Sequence, residues 1–442
     1  MKDLTKGKPS LLILQFATPM LVGNVFQQLY NIVDSVIVGN FIGKEALAAV
    51  GASFPIMFML ISFIVGIANG AAIIISQYFG AKNMKKIRRS IDTMLIFLFF
   101  ASIIVTLAGL CFSGKIFQLI KLPEEVVPQA RLYFNIYISG IVLFFGFNAV
   151  SSILRGLGDS KTPLYFLIIA TLTNTLLDLL FILVFKWGIA GAAIATIISQ
   201  GGAFITAVFY LNRSHEIFNI SWRKYEFDRH IFRKSLRIGL PSGLQQTFVS
   251  LGALALFRIV NNFGTDTVAA YSVAMRIDSL ASLVAMNFGA ALSTFTGQNL
   301  GAGKPERVYS GLIATLKMSS SVSVAVTLLV ILFRHNLITI FSSDPEVIRI
   351  GAEYLLVVCS FYIVFSAMFV IGGLLRGAGA TVIPMFITLL ALWIIRIPAS
   401  IWFSGMFGSV GIWWAIPLGW IIGAILSWLY YLKGNWRSKV VI

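Results

Sequence analysis

Charge is scarce in this 442-residue chain: Lys, Arg, Asp and Glu make up only 12% of it. A soluble domain carries about 25%, so the composition excludes an ordinary fold in water. Cysteine is scarcer still. Cys111 and Cys359 both fall inside apolar runs, support no disulfide framework, and read as small buried side chains. His215, His230 and His335 stand in loops or at the ends of apolar runs, without metal-ligand spacing. No nucleophile elbow, Walker motif or metal cluster is present, so no enzyme is read and no cofactor is expected. A cleavable leader is also not evident, because the first apolar run begins near Ser10, continues past Val38 and has no small-residue cleavage site. The net charge is +17, but the basic residues sit in short loops between apolar runs. That is the habit of cytoplasmic loops in membrane proteins and excludes nucleic acid as the natural partner.

What the chain does have is apolar length. Hydrophobic residues are 58% of it, the mean hydropathy is +0.89, and many runs exceed the roughly 20 residues that cross a bilayer as helix. Spans are read at about 10–38, 46–79, 90–113, 126–154, 162–186 and 189–211, then 238–262, 268–299, 308–333, 348–375, 382–404 and 410–432. Pro19, Pro241 and Pro398 fall within spans and are expected kinks.

The two sets of six repeat each other. Gly80 recurs as Gly301, Arg155 as Arg376 and Pro163 as Pro384, each 221 residues on; Pro19 recurs as Pro241 at 222 and Gly188 as Gly408 at 220. Loops after even spans carry base, such as Lys82, Lys85, Arg88, Arg155, Lys304 and Arg376, whereas loops after odd spans are poorer in it. Both termini are therefore expected in the cytoplasm, and the halves are parallel repeats about an axis along the membrane normal. The expected fold is an all-α integral membrane protein of twelve transmembrane helices in two pseudo-symmetric six-helix bundles. Residues 1–213 form the N-lobe, 214–231 a cytoplasmic interfacial linker, and 232–442 the C-lobe. The linker mixes Arg223, Lys224 and Arg229 with Trp222 and Tyr225, which suits the inner leaflet better than RNA.

Only Asp34, Asp178 and Asp278 put a carboxylate well inside a span, at a cost of roughly 2.5–3.5 kcal/mol on insertion scales. Gln27, Tyr30, Asn31 and Asp34 are spaced to form one polar stripe, and Thr171, Asn174 and Asp178 another. No Lys or Arg lies at that depth in the first half. Two carboxylates with amides and hydroxyls but no base suit a cation or proton, because like charges disfavour joint ionisation. Whether the two stripes face each other is left open by the sequence. The second half has Arg258, Arg276, Asp278 and Arg396. One acid against three bases suggests that Asp278 pairs with Arg258 or Arg396 across helices, as a structural ion pair. The other reading is a cavity for an anionic or zwitterionic group.

The run Gln27–Gly39 with Pro19, the Gln-Asn-Leu-Gly-Ala-Gly-Lys run at Gln298–Lys304, and the Arg-Gly-x-Gly runs at Arg155 and Arg376 together resemble the multidrug and toxic compound extrusion (MATE) family, in its DinF-type branch. The resemblance implies a secondary antiporter of a bacterial or archaeal plasma membrane. It would export small organic, often cationic, drug-like compounds against H⁺ or Na⁺ by rocker-switch alternating access, as a monomer. The resemblance also implies cation coupling at Asp34, Asn174, Asp178 and Thr196, and a substrate surface at Gln27 and Tyr30, which Asn31 joins on the same stripe. The NorM-type branch uses acids in the seventh and tenth helices. Here the seventh has none and the tenth only Glu353 near its start. A lipid-linked oligosaccharide or polysaccharide flippase is the alternative, since the second-half arginines would suit a pyrophosphate. A membrane scaffold would leave the buried aspartates unexplained.

Overall fold

In lipid every backbone polar group has to be satisfied within its own segment, so apolar runs of this length close into helices. The computed structural model describes residues 2–119, 122–214 and 225–440, and helix is the only regular structure among them. In chain order the helices are α1 (Pro9–Phe41), α2 (Lys44–Gly80), α3 (Met84–Leu119), α4 (Val127–Ser139), α5 (Ile141–Gly156), α6 (Lys161–Leu179) and α7 (Gly188–Ser214). The second series is α8 (Arg229–Val260), α9 (Thr265–Gly301), α10 (Pro305–Thr339), α11 (Pro345–Cys359), α12 (Tyr362–Gly377), α13 (Val382–Leu389), α14 (Ile397–Phe407) and α15 (Ser409–Lys433). Among the described residues ten helices are long and apolar enough to cross a bilayer, and the count reaches twelve when two bent pairs are each taken as one span. Large apolar side chains such as Phe209 and Leu332 stand more than 70% exposed, as lipid-facing residues do.

The irregularities repeat as the sequence does. α4 meets α5 at 51° and α11 meets α12 at 49°. α6 runs into a π turn at Leu180–Val184, and α13 reaches α14 through another at Leu390–Arg396. Pro19 and Pro241 lie inside α1 and α8, whereas Pro398 stands in the first turn of α14, just past the π turn. The helix nevertheless runs on from Val382 to Phe407, so the missing N–H falls inside it, beside the π turn that already breaks the regular ladder.

Packing divides the chain at places the sequence did not mark. One unit holds Val22–Gly243; the other holds Asp3–Leu21 and Leu244–Ile442. The expected division ran through the 214–231 linker, of which 215–224, with His215, lie outside the described residues. Instead, α1 gives its first half to the second unit, and α8 its first half to the first unit. The two crossing points, after Leu21 and Gly243, are 222 residues apart, the same offset as Pro19 and Pro241. Hydrophobic burial explains the first exchange: Leu12, Ile13, Phe16 and Ala17 share a core with Phe288, Leu292, Phe295 and Leu374. The approach to α8 is held by α3. Arg89 pairs with Glu226 at 2.7 Å, and Thr93 Oγ1 accepts from the Asp228 N–H at 3.0 Å. Asp228 in turn caps α8, accepting from the N–H groups of His230 and Ile231 at 2.9 and 3.0 Å.

Candidate functional site

Within the first unit, α1, α6 and α7 converge on the two carboxyl groups. α1 supplies Tyr30 and Asp34, four residues apart and so on one face; α6 supplies Asn174 and Asp178 by the same spacing; α7 supplies Thr196. Asp34, Asn174, Asp178 and Thr196 are all buried, Asp178 completely. The two stripes therefore face each other. The carboxyls of Asp34 and Asp178 lie close enough to act on each other directly. Ionised carboxylates only accept, so a hydrogen bond between the two would need a proton on one of them.

The surrounding bonds fix the pair in place. With its amide turned to satisfy both neighbours, Asn174 donates to Asp178 Oδ2 at 2.9 Å and accepts from the Thr196 N–H at 3.2 Å. Thr196 Oγ1 donates to the Ala192 carbonyl at 3.1 Å and faces the Tyr30 hydroxyl at 3.2 Å. Asp34 Oδ1 and Asp178 Oδ1 are buried without a partner. Among the described residues neither acid forms an ion pair. Unsatisfied hard oxygens on two neighbouring acids that no base pairs with among the described residues are a coordination set for a proton or a small cation.

Two expected residues stand apart from this contact. Gln27 and Asn31 are half-buried, and Asn31 reaches only Gln28 on its own helix, at 3.5 Å. Two others were missed: the buried Tyr133 and the half-buried Tyr137 on α4 lie within electrostatic reach of Asp34. Their i, i+4 spacing, which puts both on one face of the fourth span, was the available signal. The α4–α5 bend brings α4 to the site, because Gly140 packs against Ile197, the neighbour of Thr196; a Cβ on Gly140 would come within 2.5 Å of that side chain. The π turn begins two residues after Asp178, a position typical of functional sites.

The second unit corrects an expectation. Asp278 forms no contact within 4.0 Å with Arg258, Arg276 or Arg396 among the described residues. Its Oδ1 instead accepts from the Tyr362 hydroxyl at 2.7 Å. Arg258 and Arg276 are exposed, so the four residues do not form one cluster; Arg396 alone lies within electrostatic reach of Asp278. A neutral phenol satisfies the carboxylate without the cost of desolvating a second charge.

The sequence profile of the MatE family matches the chain twice, over residues 19–180 and 241–402. The chain is 35% identical to the probable multidrug resistance protein YpnP of Bacillus subtilis, covering 99% of this chain and 98% of that protein. It is 24% identical to a protein of Shewanella oneidensis described as an FAD transporter, over 95% and 93% of the two chains. Its fold matches the outward-facing conformation of a multidrug resistance MATE family transporter of the MOP superfamily, with a TM-score of 0.92, 24% identity, and coverage of 100% and 99%.

Proposed function

The chain belongs to the MATE family of multi-pass membrane transporters, and from that premise we propose that it is an antiporter. It exports small organic compounds in exchange for a proton or sodium ion taken up at Asp34, Asn174, Asp178 and Thr196. The observation that carries this reading is the approach of the Asp34 and Asp178 carboxyls, each with a buried oxygen left unpartnered and, among the described residues, neither in an ion pair. Loaded with a proton, the pair touches. Emptied, the two charges repel by roughly 4 kcal/mol at about 4 Å and an effective dielectric near 20. That shifts a two-state equilibrium by about a thousandfold, enough to bias a conformational change. A sodium ion would do the same work through the two unpartnered Oδ1 atoms and the amide and hydroxyl oxygens.

The Tyr30–Thr196 bond ties the substrate-facing stripe of Gln27, Tyr30 and Asn31 to the coupling pocket. Release of the ion and rearrangement of the stripe are thereby one event. Each unit moves as a body in this scheme, as duplicated bundles do around a fixed site. The test is transport in vesicles under independently imposed proton and sodium gradients. Export of a fluorescent organic cation should follow one gradient in the wild type and be lost in Asp34→Asn. Export by Asp34→Asn at the wild-type rate would place coupling elsewhere.

A further inference from the structure

We propose that the second unit carries a receptor for a zwitterionic group, with Asp278 taking the positive end and Arg396 the negative end. The proposal deepens the export reading by naming a substrate class. α9 and the π turn before α14 place a carboxylate and a guanidinium within one aromatic shell. Tyr271 and Trp413 stack at 5.6 Å, Tyr354 meets Trp413 edge-on at 5.1 Å, and both tyrosines lie within electrostatic reach of both charges.

Opposite charges attract, yet Asp278 and Arg396 form no ion pair within 4.0 Å among the described residues. Each keeps unused bonding capacity. Tyr362 satisfies Asp278 Oδ1, and Oδ2 has no partner among the described residues. Arg396 Nε is buried with no acceptor, as is Nε1 of the fully buried Trp413. Ser366 Oγ, one turn past Tyr362 on α12, is likewise buried and unpartnered. Buried polar groups left unmade cost roughly 1–3 kcal/mol each, so a ligand that pairs them is favoured.

The two ends of the receptor select against simpler ligands. A plain cation meets the Arg396 guanidinium, and a plain anion meets Asp278. A molecule with a cationic end and a carboxylate satisfies both, together with the idle N–H donors. The repeat sharpens the contrast: Tyr133 of α4 and Tyr354 of α11 are 221 residues apart, each near an acid, but only the second unit adds a guanidinium.

The probes are rhodamine 110, whose cationic xanthylium carries a free carboxylate, and its methyl ester, which keeps the cation alone. Equilibrium binding to the purified full chain is read by fluorescence anisotropy, and vesicle export is measured in parallel. The wild type should bind the acid about tenfold more tightly than the ester. Arg396→Gln should bring that ratio to about one, and Arg396→Lys should restore part of it. Equal wild-type affinities would overturn the proposal, as would a ratio unchanged in Arg396→Gln. Wild-type selectivity in binding, lost in Arg396→Gln, with no export under either gradient, would uphold the receptor and refute the antiport reading instead.

Discussion

Gly66 on α2 and Gly243 on α8 meet backbone to backbone: a Cβ built on Gly66 would lie 2.5 Å from both the Cα and the N of Gly243. One turn further, Gly70 stands 2.6 Å from Gly239 N by the same measure. Small residues allow such approach between membrane helices, and here they key the first half of α8 to the first unit. Gly66→Ala and Gly239→Ala should each push the helices apart and lower the melting temperature by several degrees. Gly51→Ala, on the same α2 but with open space around it, should hold or raise it, since Ala favours a helix interior by up to about 1 kcal/mol over Gly. Tryptophan-fluorescence melts of the purified protein compare the three; equal losses would dismiss the keyed joint.

The segment before α1 is strapped to the end of α9 and the start of α10. Gln298 Oε1 accepts from the Leu4 N–H at 2.9 Å, and Asn299 donates to the Leu4 carbonyl at 3.2 Å. Arg307 donates to Asn299 Oδ1 and to the Gly7 carbonyl, each at 2.9 Å. Arg307→Ala should raise hydrogen exchange in residues 3–7 about tenfold, the loss of roughly 1.5 kcal/mol of charged hydrogen bonding. The strap should also be insensitive to mild acid. Burial pulls the Asp3 carboxyl up, but hydrogen bonds from Thr5 and the charges of Lys6 and Lys304 outweigh it and hold Asp3 below its ordinary value. A depressed folded value contributes stability above the unfolded pKa near 3.9 and loses it only as pH falls toward the lower folded value. Exchange in the strap, corrected for the intrinsic rate, should therefore match at pH 7 and pH 5.

Tyr362 is the side chain on which Asp278 depends. Tyr362→Phe strips the carboxylate of its one side-chain donor and should cost roughly 1–3 kcal/mol. Asp278→Asn keeps an acceptor for the phenol and should cost less. Thermal melts that rank Asp278→Asn as the worse variant would point to an ionic role that the geometry does not provide.

Thr196 joins three helices through one hydroxyl and one N–H. Thr196→Val removes the Tyr30 contact while keeping the shape, and Thr196→Ser keeps the contact. If the hydroxyl serves the coupling pocket, Val should weaken sodium binding or shift the proton dependence of export, and Ser should not. Identical profiles for the two variants would reduce Thr196 to a packing residue.

Much of this was legible in advance because the signals were local and periodic. Asp34, Asn174 and Asp178 were visible as acids and amides at helical spacing in lipid-length runs, and the repeat followed from matched glycines and prolines. That Asp34 reaches Asp178 was not legible, since spacing fixes a face but not its partner. Tyr133 and Tyr362 were missed for a related reason: a tyrosine in a span carries no charge to mark it, and its role depends on what the bend beside it brings near. The expectation for Asp278 failed because it rested on counting charges, whereas the structure satisfies that carboxylate with a neutral phenol. The crossing of α1 and α8 was invisible because both helices run through it unbroken.

That crossing also sets an order of assembly. Residues 3–21 emerge from the ribosome long before the strap sites at Gln298, Asn299 and Arg307, which are made almost 300 residues later. At about 5–20 residues per second, the first half of α1 waits some ~15–60 s for its partners. During that interval the first half of α1 needs a temporary companion, whether lipid, the insertion machinery or the growing first unit. The second unit is therefore completed by a segment synthesised well before the rest of it, and a fragment beginning at residue 244 would lack the half-helix that fills its core.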